Sequence, residues 1–290
     1  MSPQVIVNGL LLGGLYGCVG VGFSLIWGVM NLINVAHGAM IMLGAYVTYW
    51  LFELYGIDPF LSIPLSMFVL FLLGYAIQKY VINLVIKRGV VMTLVLTFGL
   101  QLLLINLALI LWKADYRAVT PSYAGTGFHI GSLVFPYIRL AVLGAALLLT
   151  LLLYLFIAKT KMGNAIKATA LNKEAAQLVG VNIGRIYAIT FGIGAALAGA
   201  AGALISAVYT ISPIMGQRLI GKSFIVACLG GLGNMAGALI GGLIVGLAET
   251  IGGTILGPGY QEAVSFILLV LILVVRPEGI LGRKFFGGYS

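Results

Sequence analysis

The chain is 290 residues long, 61 % hydrophobic and only 8 % charged, whereas a soluble domain carries roughly a quarter charged residues. Apolar runs long enough to cross a bilayer recur along it, which excludes a soluble globular domain and predicts an all-α, polytopic membrane bundle forming a single domain over residues 1–290. A transmembrane barrel would show alternating strands of about ten residues instead, and the sequence lacks that pattern.

The net charge of +9 does not indicate nucleic acid, because the basic residues sit at the ends of apolar runs rather than on one patch. Topology explains that placement. Cys18 and Cys228 lie inside apolar runs, predicting neither a disulfide nor a metal site. No Lys or Arg precedes the first run, which is too long for a signal-peptide core, so it reads as a first span.

In chain order the apolar segments are Val5 to Val29, Ala39 to Leu54, Phe60 to Ile86, Val90 to Trp112, Tyr137 to Ala158, Ile186 to Val208, Phe224 to Leu232, Ala236 to Leu256 and Tyr260 to Val275. That is about eight transmembrane segments plus one short piece, Phe224 to Leu232, expected to be a broken or re-entrant helix. Glycines at spacing four, Gly9, Gly13, Gly17 and Gly233, Gly237, Gly241, suit helices packed backbone to backbone.

The first interruption is Asn31-Leu-Ile-Asn34-Val-Ala-His37-Gly38. Lipid cannot satisfy Asn34 and His37, so they are expected to face a bundle interior or a water-filled path. The alternative is that Asn34 caps a helix beginning near Val35 while His37 bonds a neighbouring carbonyl. Gln101 and Asn106 in the fourth segment carry a weaker signal of the same kind, equally open to bonding across helices. Residues 114–136 form the largest outer loop, rich in turn residues, either a docking surface for an external partner or a plain connector.

Residues 159–185, KTKMGNAIKATALNKEAAQLVGVNIGR, are the longest polar interruption and carry five of the sixteen basic residues. Asn172 is a good N-cap, Glu174 places negative charge in the first turn, and Gly180 supplies a left-handed stop. The expected helix, Lys173 to Val179, puts Leu171, Ala175, Leu178 and Val179 on one face. It is too short to persist alone, so it reads as a plug for the groove of another subunit.

Gly216-Gln-Arg-Leu-Ile-Gly221-Lys222-Ser223 matches the phosphate-loop pattern literally but lacks the preceding strand and the magnesium carboxylate that the pattern needs. Arg218 and Lys222 are expected instead to anchor a helix end at the outer interface. The second interruption, Gly230-Gly-Leu-Gly-Asn234-Met-Ala-Gly237, resembles the first, and paired interruptions in two halves point to a midplane pathway. Glu249 in the following segment is expected to be paired or to line that path. With two histidines and seven carboxylates scattered over different segments, no catalytic grouping appears.

Ten basic residues, namely Lys87, Arg88, Lys159, Lys161, Lys167, Lys173, Arg185, Arg276, Arg283 and Lys284, fall on one side and five on the other. The positive-inside rule then places residues 159–185 and the C-terminus in the cytoplasm and the N-terminus outside.

Four stretches together resemble the permease subunits of ATP-binding-cassette importers of the branched-chain amino-acid type, the shorter of their two permease types: Asn8 to Tyr16; Trp27 to Gly38 with Leu43-Gly-Ala-Tyr46; Met162 to Gly180; and Gly230 to Asn234 with Arg276 to Arg283. The third contains Glu174-Ala-Ala-x-x-x-Gly180, similar to the coupling motif of importer permeases, which assigns Asn172, Lys173, Glu174, Ala175, Ala176, Leu178, Val179 and Gly180 to an ATPase contact. The resemblance implies a non-enzymatic permease without a cofactor of its own, in a bacterial cytoplasmic membrane. Its expected partners are two cytoplasmic ATPase subunits holding ATP and magnesium, a second homologous permease and an external solute-binding protein. Asn34, His37, Asn234 and Glu249 are candidate pathway residues. Related members carry urea, amides or aromatic acids, and an ion-coupled transporter or channel using Glu249 is the alternative from another class.

Overall fold

The computed structural model describes residues 2–131 and 133–282; Arg283 and Lys284, counted in the charge balance, lie outside the described residues. The helices are α1 Pro3–Met30, α2 His37–Tyr55, α3 Ile63–Ile77, α4 Asn83–Val85, α5 Val90–Trp112, α6 Tyr137–Lys159, α7 Lys161–Leu171, α8 Lys173–Leu178, α9 Ile183–Val208, α10 Met215–Gly230, α11 Met235–Leu256 and α12 Gln261–Val275. A π turn, Gln78–Ile82, joins α3 to α4. All nine apolar segments are helical. Seven helical stretches, Pro3–Met30, Pro59–Val85, α5, α6, α9, α11 and Pro258–Val275, are long and apolar enough to cross a membrane. The other two segments belong to α2, 19 residues carrying His37 and Glu53, and to α10, 16 residues carrying Gln217, Arg218 and Lys222. The chain is therefore a multi-pass membrane protein.

The loop over residues 114–136 is not irregular throughout: β1 Gly127–Ile130 pairs antiparallel with β2 Leu133–Pro136, and Phe128 stacks on Phe135. Several segments meet at this end of the bundle. Gln4 exchanges hydrogen bonds with the backbone of Val134 at 2.9 and 2.8 Å, and Arg117 pairs with Ile211 by two backbone bonds. Tyr123 donates to Asp58; burial, reinforced by that bond, raises the phenol above its usual pKa. At the opposite end Ile280 and Leu281 donate backbone bonds to Leu229 and Gly230, holding the segment after α12 against the end of α10.

Two helices form the core. α1 runs antiparallel to α11: Gly9 faces Leu247, Gly13 faces Leu243 and Gly17 faces Leu239, and Gly28 meets Gly233 in the turn before α11. Gly242 and Gly246 return the contact onto Gly17 and Gly13, where a β-carbon would overlap backbone. With no water to expel inside a bilayer, such close approach maximises dispersion and backbone contact between helices. α9 packs likewise on α2 and α3: Gly199 lies against Gly44 and Ser66, and the Ser66 hydroxyl reaches the carbonyls of Gly199 at 3.0 Å and Gly44 at 3.3 Å. α3, α5, α6 and α12 surround this core and turn rows of exposed Leu, Ile, Val and Phe outward, the surface lipid requires.

α2 and α10 begin inside the bundle rather than at its end. α1 stops at Asn31, which adopts a left-handed conformation (φ 49°) that Asn tolerates better than most residues. The chain then turns back inward. Thr97 of α5 holds it, accepting from the Val35 amide at 3.2 Å and donating to the Ile33 carbonyl at 2.9 Å. α2 therefore starts beside Val19 and Gly22, well along α1, and its Gly38 meets Gly216 of α10 backbone to backbone. The expected symmetry is thereby corrected: the counterpart of the first interruption is Tyr209–Ile214, between α9 and α10, whereas Gly230–Asn234 is a turn at the end opposite the hairpin. Residues 216–223, which carry the phosphate-loop pattern, lie within α10.

Replacing Gly242 with Val should destabilise the protein by about 3 kcal/mol or more, because an added side chain meets the Gly17 backbone and neither helix can yield cheaply. Gly99 has open space around it, and Gly99→Ala should stabilise slightly, by ~0.5 kcal/mol. Thermal unfolding of the purified chain in detergent distinguishes the two.

Candidate translocation pathway and coupling site

The polar stretch after α6 folds as two short helices. Thr160 caps α7 by accepting from the Gly163 amide at 2.9 Å. Asn172 then breaks the helix, and its Oδ1 accepts from the amides of Glu174 at 3.0 Å and Ala175 at 2.9 Å, restarting the chain as α8. α8 ends one residue earlier than the spacing suggested, with Val179 outside the helix and Gly180 at φ +88°. Only Ala176 of α8 is buried, and its carbonyl accepts from the Val181 amide. Leu171, Leu178 and Val179 are 66, 89 and 80 % exposed, and Lys173, Glu174, Ala175 and Gly180 are exposed beside them. The helix is thus fixed through one alanine, and the segment around it turns Leu171, Leu178 and Val179 outward beside a carboxylate.

Asn34 and His37 are completely buried. Asn34 does not cap α2: the residue before that helix is Ala36, without a side-chain cap, and the Asn34 amide faces the Met40 sulfur at 3.9 Å. His37 Nε2 lies 3.2 Å from the Val19 carbonyl oxygen and its ring packs edge-on against Phe23. Asn34 Oδ1 and His37 Nδ1 have no hydrogen-bond partner among the described residues. An unpaired buried polar atom costs roughly 1–3 kcal/mol, so this corner, where α2 starts, holds unused hydrogen-bonding capacity. Asn234 is engaged differently. Its Oδ1 caps α11 by accepting from the Gly237 amide at 2.9 Å, and its Nδ2 donates to the Leu281 carbonyl at 2.9 Å. Gln101 is buried with its Oε1 unpartnered, while Asn106 is exposed and bonds within its own helix to Leu102.

Glu249 is paired. Its partner is Lys222, which corrects the expectation that Lys222 snorkels at an interface: the residue is 8 % exposed. Ser265 of α12 donates to the same carboxylate oxygen, and Tyr16 of α1 donates to the other at 2.7 Å. Lys222 and Tyr16 are functional candidates that sequence reasoning missed, since it took Lys222 for an interfacial anchor at a helix end and gave Tyr16 no role. Among the described residues no three His, Cys, Asp or Glu side chains gather as metal ligands.

Residues 5–273 match the family described as "Branched-chain amino acid transport system / permease component". The chain belongs to this family. It is 32 % identical to the high-affinity branched-chain amino acid transport system permease protein BraD of Pseudomonas aeruginosa, with 97 % of this chain and 95 % of that protein covered. It is 33 % identical, over the same shares, to the corresponding permease LivH of Escherichia coli. The fructose import permease FrcC of Rhizobium meliloti is 28 % identical over 84 % of this chain and 69 % of its own length. No solved structure matches. As a branched-chain-type permease, the chain is a subunit of an ATP-binding-cassette importer.

Asn172→Ala should remove the two capping bonds that start α8, at a cost of about 1 kcal/mol. Hydrogen exchange of the amides from Glu174 to Leu178 should quicken roughly five-fold, with exchange in α9 unchanged.

Proposed function

We propose that this permease forms half of a translocation pore that moves branched-chain and other hydrophobic amino acids inward. Two cytoplasmic ATPase subunits, which hold ATP and magnesium, energise it. A second homologous permease completes the pore, and a periplasmic or surface binding protein delivers the solute. The observation that carries the mechanical part is the exposed apolar surface around α8, formed by Leu171 at the end of α7, Leu178 within α8 and Val179 just after it, beside Glu174. A short amphipathic helix seated in a groove is a recurrent mode of recognition. The printed names of BraD and LivH support the substrate class. The fructose permease's name shows a related permease serving another solute. That fits a weak, permissive pathway, with selection resting largely on the binding protein.

The end bearing Arg88, residues 159–185 and Arg276 is the cytoplasmic one by its excess of positive charge. The N-terminus and the hairpin then face outward from a bacterial inner membrane, and the hairpin is a surface within reach of the binding protein. The buried atoms of Asn34 and His37, where two helix starts meet, are the candidate pathway lining. Pathways of this kind are commonly built where interrupted helices expose polar backbone near mid-membrane.

Glu174→Lys and Leu178→Asp should each reduce co-purification of the ATPase at least ten-fold, about 1.4 kcal/mol of interface energy, while membrane insertion stays intact. Undiminished co-purification of both variants would remove the coupling assignment. In proteoliposomes containing the full complex, leucine delivered by the binding protein should stimulate ATP hydrolysis more than urea or benzoate does; preference for either of the latter reassigns the substrate.

A further inference from the structure

Lys222 and Glu249 form the sole ion pair among the described residues, with their side chains 10 and 3 % exposed. Their cluster gathers four helices. Lys222 comes from α10, Glu249 from α11, Ser265 from α12 and Tyr16 from α1. Lys222 Nζ lies 3.3 Å from the Ser265 hydroxyl and 5.4 Å from the Tyr16 ring centroid. Such a pair is a poor way to stabilise a bundle. Apolar residues of similar volume often do as well or better, and ionisable groups at membrane depth mark solute or ion routes.

The surface beside the pair points the same way. Lys222 lies in the second turn of α10, the helix that starts in the bundle interior against Gly38. Gln217 and Arg218, in the preceding turn, are exposed. Exposed amide and guanidinium groups favour water or a second protein over lipid, and Gln217 and Arg218 put such groups on this face of α10. Next to Lys222, Gly221 leaves open space: a β-carbon there would meet only the Phe266 ring, at 3.9 Å. Phe224 and Phe266 are themselves 36 and 52 % exposed. Gln217, Arg218, the open space at Gly221 and the partly exposed rings of Phe224 and Phe266 therefore lie on α10 and α12, the helices that supply Lys222 and Ser265 to the buried cluster.

An α-amino acid is the solute that matches such a pair, because its carboxylate and ammonium are held one carbon apart. We propose that Lys222 and Glu249 form an exchange site for the zwitterion in transit, Lys222 taking the carboxylate and Glu249 the ammonium. The Tyr16 and Ser265 hydroxyls continue to donate to Glu249 and hold it in place. The swap leaves no charge unpaired at any stage, and the protein's own pair re-forms behind the departing solute, keeping the site weak enough to release. A neutral sugar or urea gains nothing from it. This inference rests on the amino-acid reading above.

The test is uptake by the complete transporter in proteoliposomes, measured as leucine moved per ATP hydrolysed. The double variant Lys222→Met with Glu249→Leu removes both charges and leaves neither unpaired. It should assemble with the ATPases and hydrolyse ATP, yet move at least ten-fold less leucine per ATP than the wild type. Wild-type efficiency in this variant overturns the exchange site and leaves the amino-acid reading standing. A wild-type complex that moves no α-amino acid overturns both. Should the double variant fail to assemble, saturation-transfer NMR on the wild-type permease complex, without binding protein and with millimolar leucine, decides instead. Transfer to leucine that excess valine suppresses, and that leucinamide and 4-methylpentanoate, each carrying a single charge, do not, supports the site; equal suppression by either single-charge analogue overturns it.

Discussion

Backbone touching backbone at glycine is the contact on which this bundle depends. In water a helix pair is driven together by its apolar faces, but in lipid that drive is absent and the gain must come from close approach. The sequence supplies it where α1 meets α11 and where α9 meets α2 and α3. At Gly38 and Gly216 the same device does something further: it lets two helix starts meet inside the molecule without a side chain between them. A larger residue at either position would force α2 and α10 apart and carry the polar corner at Asn34 and His37 with them.

Glycine contacts also bear on motion. Interdigitated large side chains lock a pair of helices into one register, whereas smooth glycine surfaces can slide or rock with little loss of contact. An importer needs outward-open and inward-open packings that differ by only a few kcal/mol, so that binding events elsewhere can choose between them. The interface between α2 and α10 has the right properties, being bare backbone, interior, and adjacent to unpartnered polar atoms.

Much of this was legible in the sequence, for identifiable reasons. The start and stop of α8 are local events, written by Asn172 and Gly180 within nine residues, and local chemistry reads directly. The first interruption was legible because Asn34 and His37 are out of place in an apolar run. The second was misplaced. Asn234 resembles Asn34 in its neighbours, yet it is an ordinary helix cap, while the true counterpart at Tyr209–Ile214 carries its own signal, Pro213 two residues before a helix start. Reading Lys222 as an interfacial anchor at a helix end then hid its pairing. Its partner lies 27 positions away on another helix, a relation that periodicity cannot supply, although two opposite charges stranded in apolar segments were themselves a hint that they meet.

These pieces form one continuous physical route. α8 is tied through Ala176 and the turn at Gly180 to the start of α9, which Asn182 caps at the Arg185 amide. α9 is buried along most of its length and grips α2 through Gly199 and Gly202, against Ile41 and Gly44. One turn earlier, α2 presses Gly38 onto Gly216, and one to two turns further along α10 stands Lys222 with Glu249. Coupling across such a distance requires an element with two discrete arrangements that both ends can bias. α9, buried along most of its length, is suited to carry displacement as one body, and the bare glycine contact where α2 meets α10 is suited to switch. A push on α8 would therefore be felt least within α9 and most where α10 meets α2, beside the charges that a zwitterion would engage.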